Sequence, residues 1–308
     1  MLWRLRVEMP FACRLLALVG ALATACPLLS GCARTASAAR RDTSPPAAPV
    51  ETHPARETVD VPGTDESQGK GIADGCFLMG RPAGQGFTDE QPQHPVHVSR
   101  FRLGKTEVSN QEFAAFLNQA EQDGADHSWI DDDAAVGLEK QTDGTWRAVP
   151  GRDQRPVSGV SWYGAVAYCE YVGGRLPTEA EWEWAAVGPD LRVYPWGDDW
   201  DPARCCWEDN QGDPYVDVTA LPEGASWCGA LNLAGNVWEW CADWYGDYAG
   251  ERQGDPEGPK EGDERVVRGG FYRNAPDLVR GSCRLRQVPD ACRDGIGFRP
   301  AFDAPEQG

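Results

Sequence analysis

Three stretches of the sequence space their apolar residues at helical intervals, and each begins with a residue that caps helices well. Ser109 and Glu112 form one capping box, Thr178 and Glu181 form a second, and Ser161 can cap the segment between them. Apolar residues then return every three or four positions. We therefore predict three short helices that begin at these caps.

Glycines and short β-rich runs divide the rest of the chain. Gly173 and Gly188 stand where the second and third helices should stop. Short strands are predicted at 96–103, 265–268 and 297–302. From about residue 189 to 231 the pattern predicts loop, and so long a loop needs metal ions, disulfides or tryptophan packing to hold it.

The N-terminus has the layout of an export signal. Three of the first 14 residues are arginines, residues 15–29 are largely apolar, and small residues then precede Cys32. The apolar run is short for a membrane span. Residues 29–32 (Leu-Ser-Gly-Cys) resemble a bacterial lipobox, so we predict cleavage of residues 1–31 and acylation of Cys32. A plain signal peptide with an incidental cysteine is the alternative.

This signal sets the predicted domains and location. Residues 32–70 are rich in Ala, Pro, Thr, Ser and Glu and read as a disordered tether, and residues 71–308 read as the folded domain. The domain is then held at the cell envelope by lipid on Cys32, at the outer membrane facing the periplasm or at the cell surface. The aspartate-rich stretch 126–133 lacks an EF-hand pattern and is predicted to be a solvated loop.

Composition narrows the fold and the partners. The chain has 308 residues, of which 35 are Gly, 24 are Pro and 13 are Trp, and its formal net charge is -19. The first three counts favour an irregular, turn-rich fold with an aromatic core. The charge repels phosphate backbones, so we expect no nucleic-acid partner.

Several blocks together resemble one family. They are, in order, residues 77–80, 89–96, 105–110, 156–157, 160–162, 174–183, 195–197, 235–240, 268–270 and 297–299. The most specific are RLPTEAEWE at 175–183 and GNVWEW at 235–240. This series is similar to the sulfatase-modifying-factor (formylglycine-generating enzyme) family. The resemblance implies an α+β, C-type-lectin-like fold with little regular secondary structure.

The same resemblance implies a calcium site in the loop that contains GNVWEW. In the family, calcium is held by the side chains that match Asn232 and Glu239 and by the carbonyls that match Gly235 and Val237. Alternatively, Asn232 and Glu239 cap the loop by hydrogen bonding. The family's second calcium site needs an asparagine where this chain reads Ala-Arg-Cys-Cys at 203–206, so only one site is expected.

Cysteine usage favours disulfides and disfavours zinc. Eight cysteines follow Cys32, an even number for an exported domain, and none forms a Cys-x2-Cys pair. Pairing is not readable from sequence. By resemblance, Cys169 matches a disulfide position of the family whose usual partner position is Pro300 here, which leaves Cys292 as the nearest substitute.

The family's oxidase chemistry depends on a Cys-x4-Cys pair that binds copper(I) soon after a Gly-Gly turn. In this chain the first of those positions is Asn274, and Cys283 lies near the second only if a gap is allowed. Cys283 is therefore a weak catalytic candidate, and we expect no copper.

Three functions remain open. The first is a non-oxidase binding or accessory domain with a protein, peptide or glycan ligand; its candidate residues are Arg268, Arg280, Arg284 and Trp238, and its candidate stacking surface is Trp200, Trp207, Tyr215 and Trp227. Internal salt bridges and core packing are the alternatives for these residues. The second is an oxidative enzyme of altered chemistry, although His94 and His97 lie between prolines and read as surface loop. The third is a retained formylglycine-generating oxidase that uses Cys283 with another cysteine.

Overall fold

The computed structural model describes residues 56–122, 129–131, 135–208 and 214–305. All of these belong to one compact unit, Thr52–Gly308. The predicted signal peptide, Cys32, residues 32–55 of the predicted tether and most of the aspartate-rich stretch lie outside the described residues. Among the residues that are described, no helix is long and apolar enough to cross a membrane.

Three helices form where the capping patterns predict them. They are α1 (Asn110–Gln122), α2 (Trp162–Tyr171) and α3 (Glu179–Val187). Thr178 Oγ1 accepts a hydrogen bond from the Glu181 amide, whose carboxylate accepts from the Thr178 amide in return. Ser109 and Glu112 exchange the same pair of bonds, and Ser161 Oγ accepts from the Gly164 amide.

The described residues form thirteen short strands in four small sheets. The strands are β1 (Thr58–Val61), β2 (Ile72–Ala73), β3 (Cys76–Met79), β4 (His94–His97), β5 (Phe101–Gly104), β6 (Leu138–Lys140), β7 (Trp146–Ala148), β8 (Trp238–Trp244), β9 (Gln253–Gly254), β10 (Arg265–Arg268), β11 (Arg284–Gln287), β12 (Ile296–Gly297) and β13 (Ala301–Asp303). The sheet orders are β1-β5-β13, β11-β10-β8-β12, β2-β3-β4-β9 and β6-β7. This confirms an α+β fold with modest regular structure.

The predicted strands lie at the right positions in the chain, but two of the three are each interrupted and form two separate strands. The predicted strand at 265–268 is β10, whereas 96–103 divides into β4 and β5, and 297–302 divides into β12 and β13. Each split lets the chain leave one sheet and join another. Within the described part of 189–231, only a short 3-10 helix at Pro222–Gly224 interrupts the predicted loop.

The predicted tether extends too far. Residues 58–61 form β1, which pairs antiparallel with β5 so that Val61 faces Phe101. Val61 and Thr64 are fully buried, and the Arg56 guanidinium donates to the carbonyls of Thr106 and Glu107. Four residues of alternating polarity are enough to form a strand that joins a sheet. The average composition of residues 32–70 does not reveal so short a strand. The folded domain therefore begins before residue 71.

Two apolar clusters form most of the core. In one, Phe113 of α1 and Tyr168 of α2 pack against Phe298 at centroid distances of 5.9 and 5.4 Å, and Phe116 packs against Tyr168 at 5.6 Å. In the other, α3 packs against β3 and β8. The loop that leads into β8 and the start of α3 therefore rest on a rigid base.

Candidate functional site

The loop that leads into β8 turns back on itself through left-handed residues. Asn232, Gly235 and Asn236 have φ angles of 55°, 78° and 63°. A Cβ atom on Gly235 would lie 2.0 Å from the carbonyl oxygen of Cys206. Glycine is required there by both backbone conformation and space.

A buried ion pair closes one side of this loop. The Arg299 guanidinium donates to Glu239 through Nε at 2.7 Å and Nη2 at 2.6 Å, and both residues are fully buried. Trp182 Nε1 adds a third hydrogen bond at 2.9 Å. A carboxylate can accept about four hydrogen bonds. Three are used, two on Oε2 and one on Oε1, so one acceptor position of Glu239 is left, on Oε1.

A second buried carboxylate lies beside Glu239. The Asn232 and Asn236 side-chain amides donate to Glu107 at 3.0 and 2.8 Å. Burial, together with the nearby charge of Glu239, raises the pKa of Glu107 to about 7 against the opposing effect of Arg299. Glu107 lies within a family block, residues 105–110, but its role was not predictable from sequence because its partners lie 125 and 129 residues away.

The chemistry of these groups fits a calcium ion. The Asn232 amide nitrogen donates to Glu107 and to the Val218 carbonyl, which leaves its Oδ1 free of any donor among the described residues. No described residue donates to the carbonyl oxygens of Gly235 and Val237, although Val237 is fully buried. With Glu239 Oε1, these are four hard oxygen ligands next to excess negative charge.

The predicted arginine cluster forms, but each arginine already has a carboxylate partner. Arg268 pairs with Glu183, and Arg280 pairs with Glu90 through two bonds of 2.6 and 2.7 Å. Arg284 pairs with Glu179 through two bonds of 2.7 and 2.8 Å. All three guanidinium groups are buried. The structure therefore shows the alternative, internal salt bridges.

The predicted aromatic surface is largely core. Trp238 is buried in the first apolar cluster and pairs with β12. Tyr215 is buried, and the indole of Trp227 packs on Trp184 with ring centroids 4.8 Å apart. Trp200 and Trp207 are half-buried and pack edge to face on each other at 5.0 Å. None of these rings is broadly exposed.

The disulfide prediction is wrong in this structure. All eight cysteines of the described region carry free thiols, and the pair Cys169–Cys292 does not form. Cys169 is buried on α2 within the first apolar cluster, whereas Cys292 is half-buried in a loop where its thiol contacts the Asp290 carbonyl. Apolar packing and ion pairs, not disulfides, hold the long loop.

The region that matches the family's copper-binding cysteine pair does not bring two cysteine thiolates together in the described residues. Asn274 Oδ1 accepts a hydrogen bond from the Phe271 amide at 2.9 Å and so closes a turn. Cys283 is buried, and burial raises the pKa of its thiol to about 12. Copper(I) prefers thiolate ligands, and the residues present do not fit it.

Sequence comparison finds related proteins of several kinds. A profile described as "Sulfatase-modifying factor enzyme 1-like domain" matches residues 50–304. The chain is 36% identical over 238 residues to serine/threonine-protein kinase pkn1 of Chlamydia caviae, covering 75% of this chain and 37% of that protein. It thus spans little more than a third of the length of that relative.

Other relatives match over most of their length. The formylglycine-generating enzyme of Streptomyces coelicolor is 34% identical over 306 residues, covering 84% of this chain and 95% of that protein. The inactive C-alpha-formylglycine-generating enzyme 2 of Mus musculus is 34% identical over 271 residues, covering 75% and 84%. The structure of PvdO from Pseudomonas aeruginosa superposes with a TM-score of 0.62 at 22% identity, covering 81% of this chain and 95% of that chain, which shows the fold.

Proposed function

Because this chain belongs to the sulfatase-modifying-factor family, we propose that it is a binding or accessory member that does not make formylglycine by the copper route. The observation that carries this proposal is Asn274, which occupies the first copper-cysteine position and uses its side chain to close a turn. A carboxamide is a hard, weak ligand and cannot replace a thiolate toward copper(I).

The second cysteine gives no substitute. Cys283 lies in a buried setting beside Glu90, a negative charge that opposes thiolate formation as burial does. The relatives include both a formylglycine-generating enzyme and a protein named inactive. Resemblance alone therefore supports either outcome, and the residue at position 274 favours the inactive one.

We expect no formylglycine when the purified chain is incubated with a Cys-x-Pro-x-Arg peptide, copper and oxygen. The measurement is the peptide mass, since conversion of a thiol to an aldehyde changes it. The Streptomyces coelicolor enzyme, run in parallel, verifies the substrate and the conditions. Conversion by this chain above a no-protein blank contradicts the proposal and returns the retained oxidase as the better hypothesis.

We also propose that the domain is exported and anchored by lipid on Cys32. The support is the order of basic, apolar and small residues before that cysteine. If residues 33–55 behave as a flexible chain, they reach roughly 25–30 Å from the anchor toward the folded domain. A binding domain on a linker of this length can contact partners near the membrane surface.

The loop before β8 is further proposed to bind one structural calcium ion. Calcium at about 100 times its Kd should stabilise the fold by about 2.7 kcal/mol, because only the folded state assembles the ligands. Thermal unfolding in EDTA, calcium or magnesium measures this. Asn232→Gly permits the same left-handed backbone and removes a ligand. Calcium should therefore no longer raise the melting temperature of this variant.

Asp74→Gly is the matched control. Asp74 has a φ of 51° and is exposed away from the loop, so its replacement should leave the effect of calcium on the melting temperature intact. Equal melting temperatures in EDTA and calcium would count against the site.

A further inference from the structure

A cavity of about 480 Å³ lies between the start of α3, the end of β8 and the segment 246–259. Its lining includes His94, Glu179, Asp243, Trp244 and Tyr248. Neither the proposed calcium ligands nor Asn274 line it. Its volume is within the range of small-molecule sites.

Asp243 is a buried carboxylate on this cavity without a cationic partner. It is 4% exposed, and its Oδ2 accepts the backbone amide of Glu179 at 2.7 Å. No ion pair joins it to a lysine or arginine of the described ranges, and the Arg265 guanidinium, which donates to the Ala242 carbonyl, acts on it only at longer range. Its Oδ1 has no hydrogen-bond donor among those residues and is not enclosed by protein atoms. Ionising this side chain while it is buried is costly, and a bound cation would offset that cost.

His94 places a second acceptor on the same cavity. It is 2% exposed, and its Nδ1 lies 3.1 Å from the carbonyl of Pro92, which can only accept. Nδ1 therefore carries the proton, and in the neutral ring Nε2 presents a lone pair. No described residue bonds to Nε2, although the side chain is almost wholly buried.

The remaining charges give the cavity a negative excess. Arg284 is bound by both oxygens of Glu179, and the Tyr248 hydroxyl donates to Glu179 at 3.2 Å. That pair is internally balanced. Asp247 and Glu257 add two exposed carboxylates among the lining residues. An anion would meet no free cation here.

We propose that this cavity binds a small organic cation, a primary ammonium or guanidinium group, with its N–H donors directed to Asp243 and His94. An ammonium group supplies three donors and one positive charge, which match a carboxylate and an imidazole lone pair. A metal ion is disfavoured, because no group of three or more His, Cys, Asp or Glu suited to one occurs in the described residues.

Binding should strengthen as the pH rises. Burial, together with the charge of Glu179, raises the pKa of Asp243 to about 8, so the carboxylate is charged only above that pH. A primary alkylammonium keeps its proton to about pH 10.4. The charged and titratable groups around Asp243 are Glu179, Glu181, Cys241 and Arg265, and the others that line the cavity are His94, Asp247, Tyr248, Glu257 and Arg284.

The probe is n-butylammonium, titrated into the full-length chain at pH 9 and followed through the imidazole NMR signals. The chain has four histidines, so the His94 signal can be assigned with a His94→Asn variant. We expect the His94 signal to shift and saturate while that of His97, which does not line the cavity, stays in place. n-Butanol, of equal length and no charge, should bind at least about tenfold more weakly.

Asp243→Asn tests the charge while keeping an oxygen to accept the Glu179 amide. It should weaken n-butylammonium binding about tenfold or more, whereas Asp190→Asn, which removes an exposed charge elsewhere, should not. Unchanged melting of Asp243→Asn shows that the fold is intact. Equal binding of butanol and butylammonium, or wild-type affinity in Asp243→Asn, overturns the proposal.

Two sources can present such a group, a free amine and the amino terminus of a peptide. Dialanine and N-acetyl-dialanine distinguish them, since only the first carries a terminal ammonium. Saturable binding of butylammonium without dialanine indicates a free amine, and binding of both indicates that the cavity also admits a peptide terminus. Failure of butylammonium to bind leaves the assay for formylglycine untouched, so the two proposals fail independently.

Discussion

Replacing Arg299 with methionine is expected to lower the free energy of unfolding by about 3–5 kcal/mol. The guanidinium is fully buried, holds Glu239 through two hydrogen bonds, and donates to the carbonyls of Gly104, Lys105 and Leu231. Its removal leaves the Glu239 carboxylate without its cation, next to the second buried carboxylate of the same loop. Urea denaturation in EDTA measures the loss without any contribution from calcium.

Two comparisons make this result interpretable. Arg299→Met combined with Glu239→Gln should recover part of the loss, because the side chain at position 239 then carries no unpaired charge. Arg286→Met breaks a solvent-exposed pair with Glu264 at 3.0 Å and should cost less than about 1 kcal/mol. A loss below 1 kcal/mol for Arg299→Met would mean that water or a rearranged side chain reaches Glu239.

Gly235→Ala is expected to destabilise the fold by about 3 kcal/mol or more. The new methyl group meets the Cys206 carbonyl at 2.0 Å, and backbone atoms cannot yield as a flexible side chain can. The positive φ of 78° adds about 1 kcal/mol of strain for any residue with a Cβ atom. Urea denaturation in EDTA measures the total loss in the free energy of unfolding from the steric clash and the backbone strain.

Gly84→Ala separates the two contributions. Gly84 has a φ of 82°, and its added Cβ would meet nothing within 4 Å. It should therefore show the conformational strain alone, about 1 kcal/mol. If both substitutions cost the same, the close approach of Cys206 to the loop is not rigid.

Local chemistry made the helices and the family blocks predictable. Capping boxes at Ser109 and Thr178 act within four residues, so sequence contains all of their partners. The four residues proposed to bind calcium came from the family resemblance, and all of them fall within one short segment, residues 232–239. Their fit to calcium still rests on groups outside that segment, including Glu107.

Long-range pairing was not predictable. Arg280 pairs with Glu90 at a separation of 190 residues, and nothing in either local sequence marks the partner. Arg268, Arg280 and Arg284 were candidates for ligand binding, yet each is buried and paired with a glutamate. The cavity beside Asp243 was missed because its residues come from five separate segments of the chain.

The place of β5 between β1 and β13 constrains how the chain can fold. Val61 and Asp303 both align with Phe101, so the centre of this sheet is complete only when segments 242 residues apart have met it. A ribosome delivers both strands of the β1–β5 pair early and β13 after the other strands described. One edge of β5 therefore stays open for most of synthesis, and we expect closure by β13 to be a late, slow step of folding.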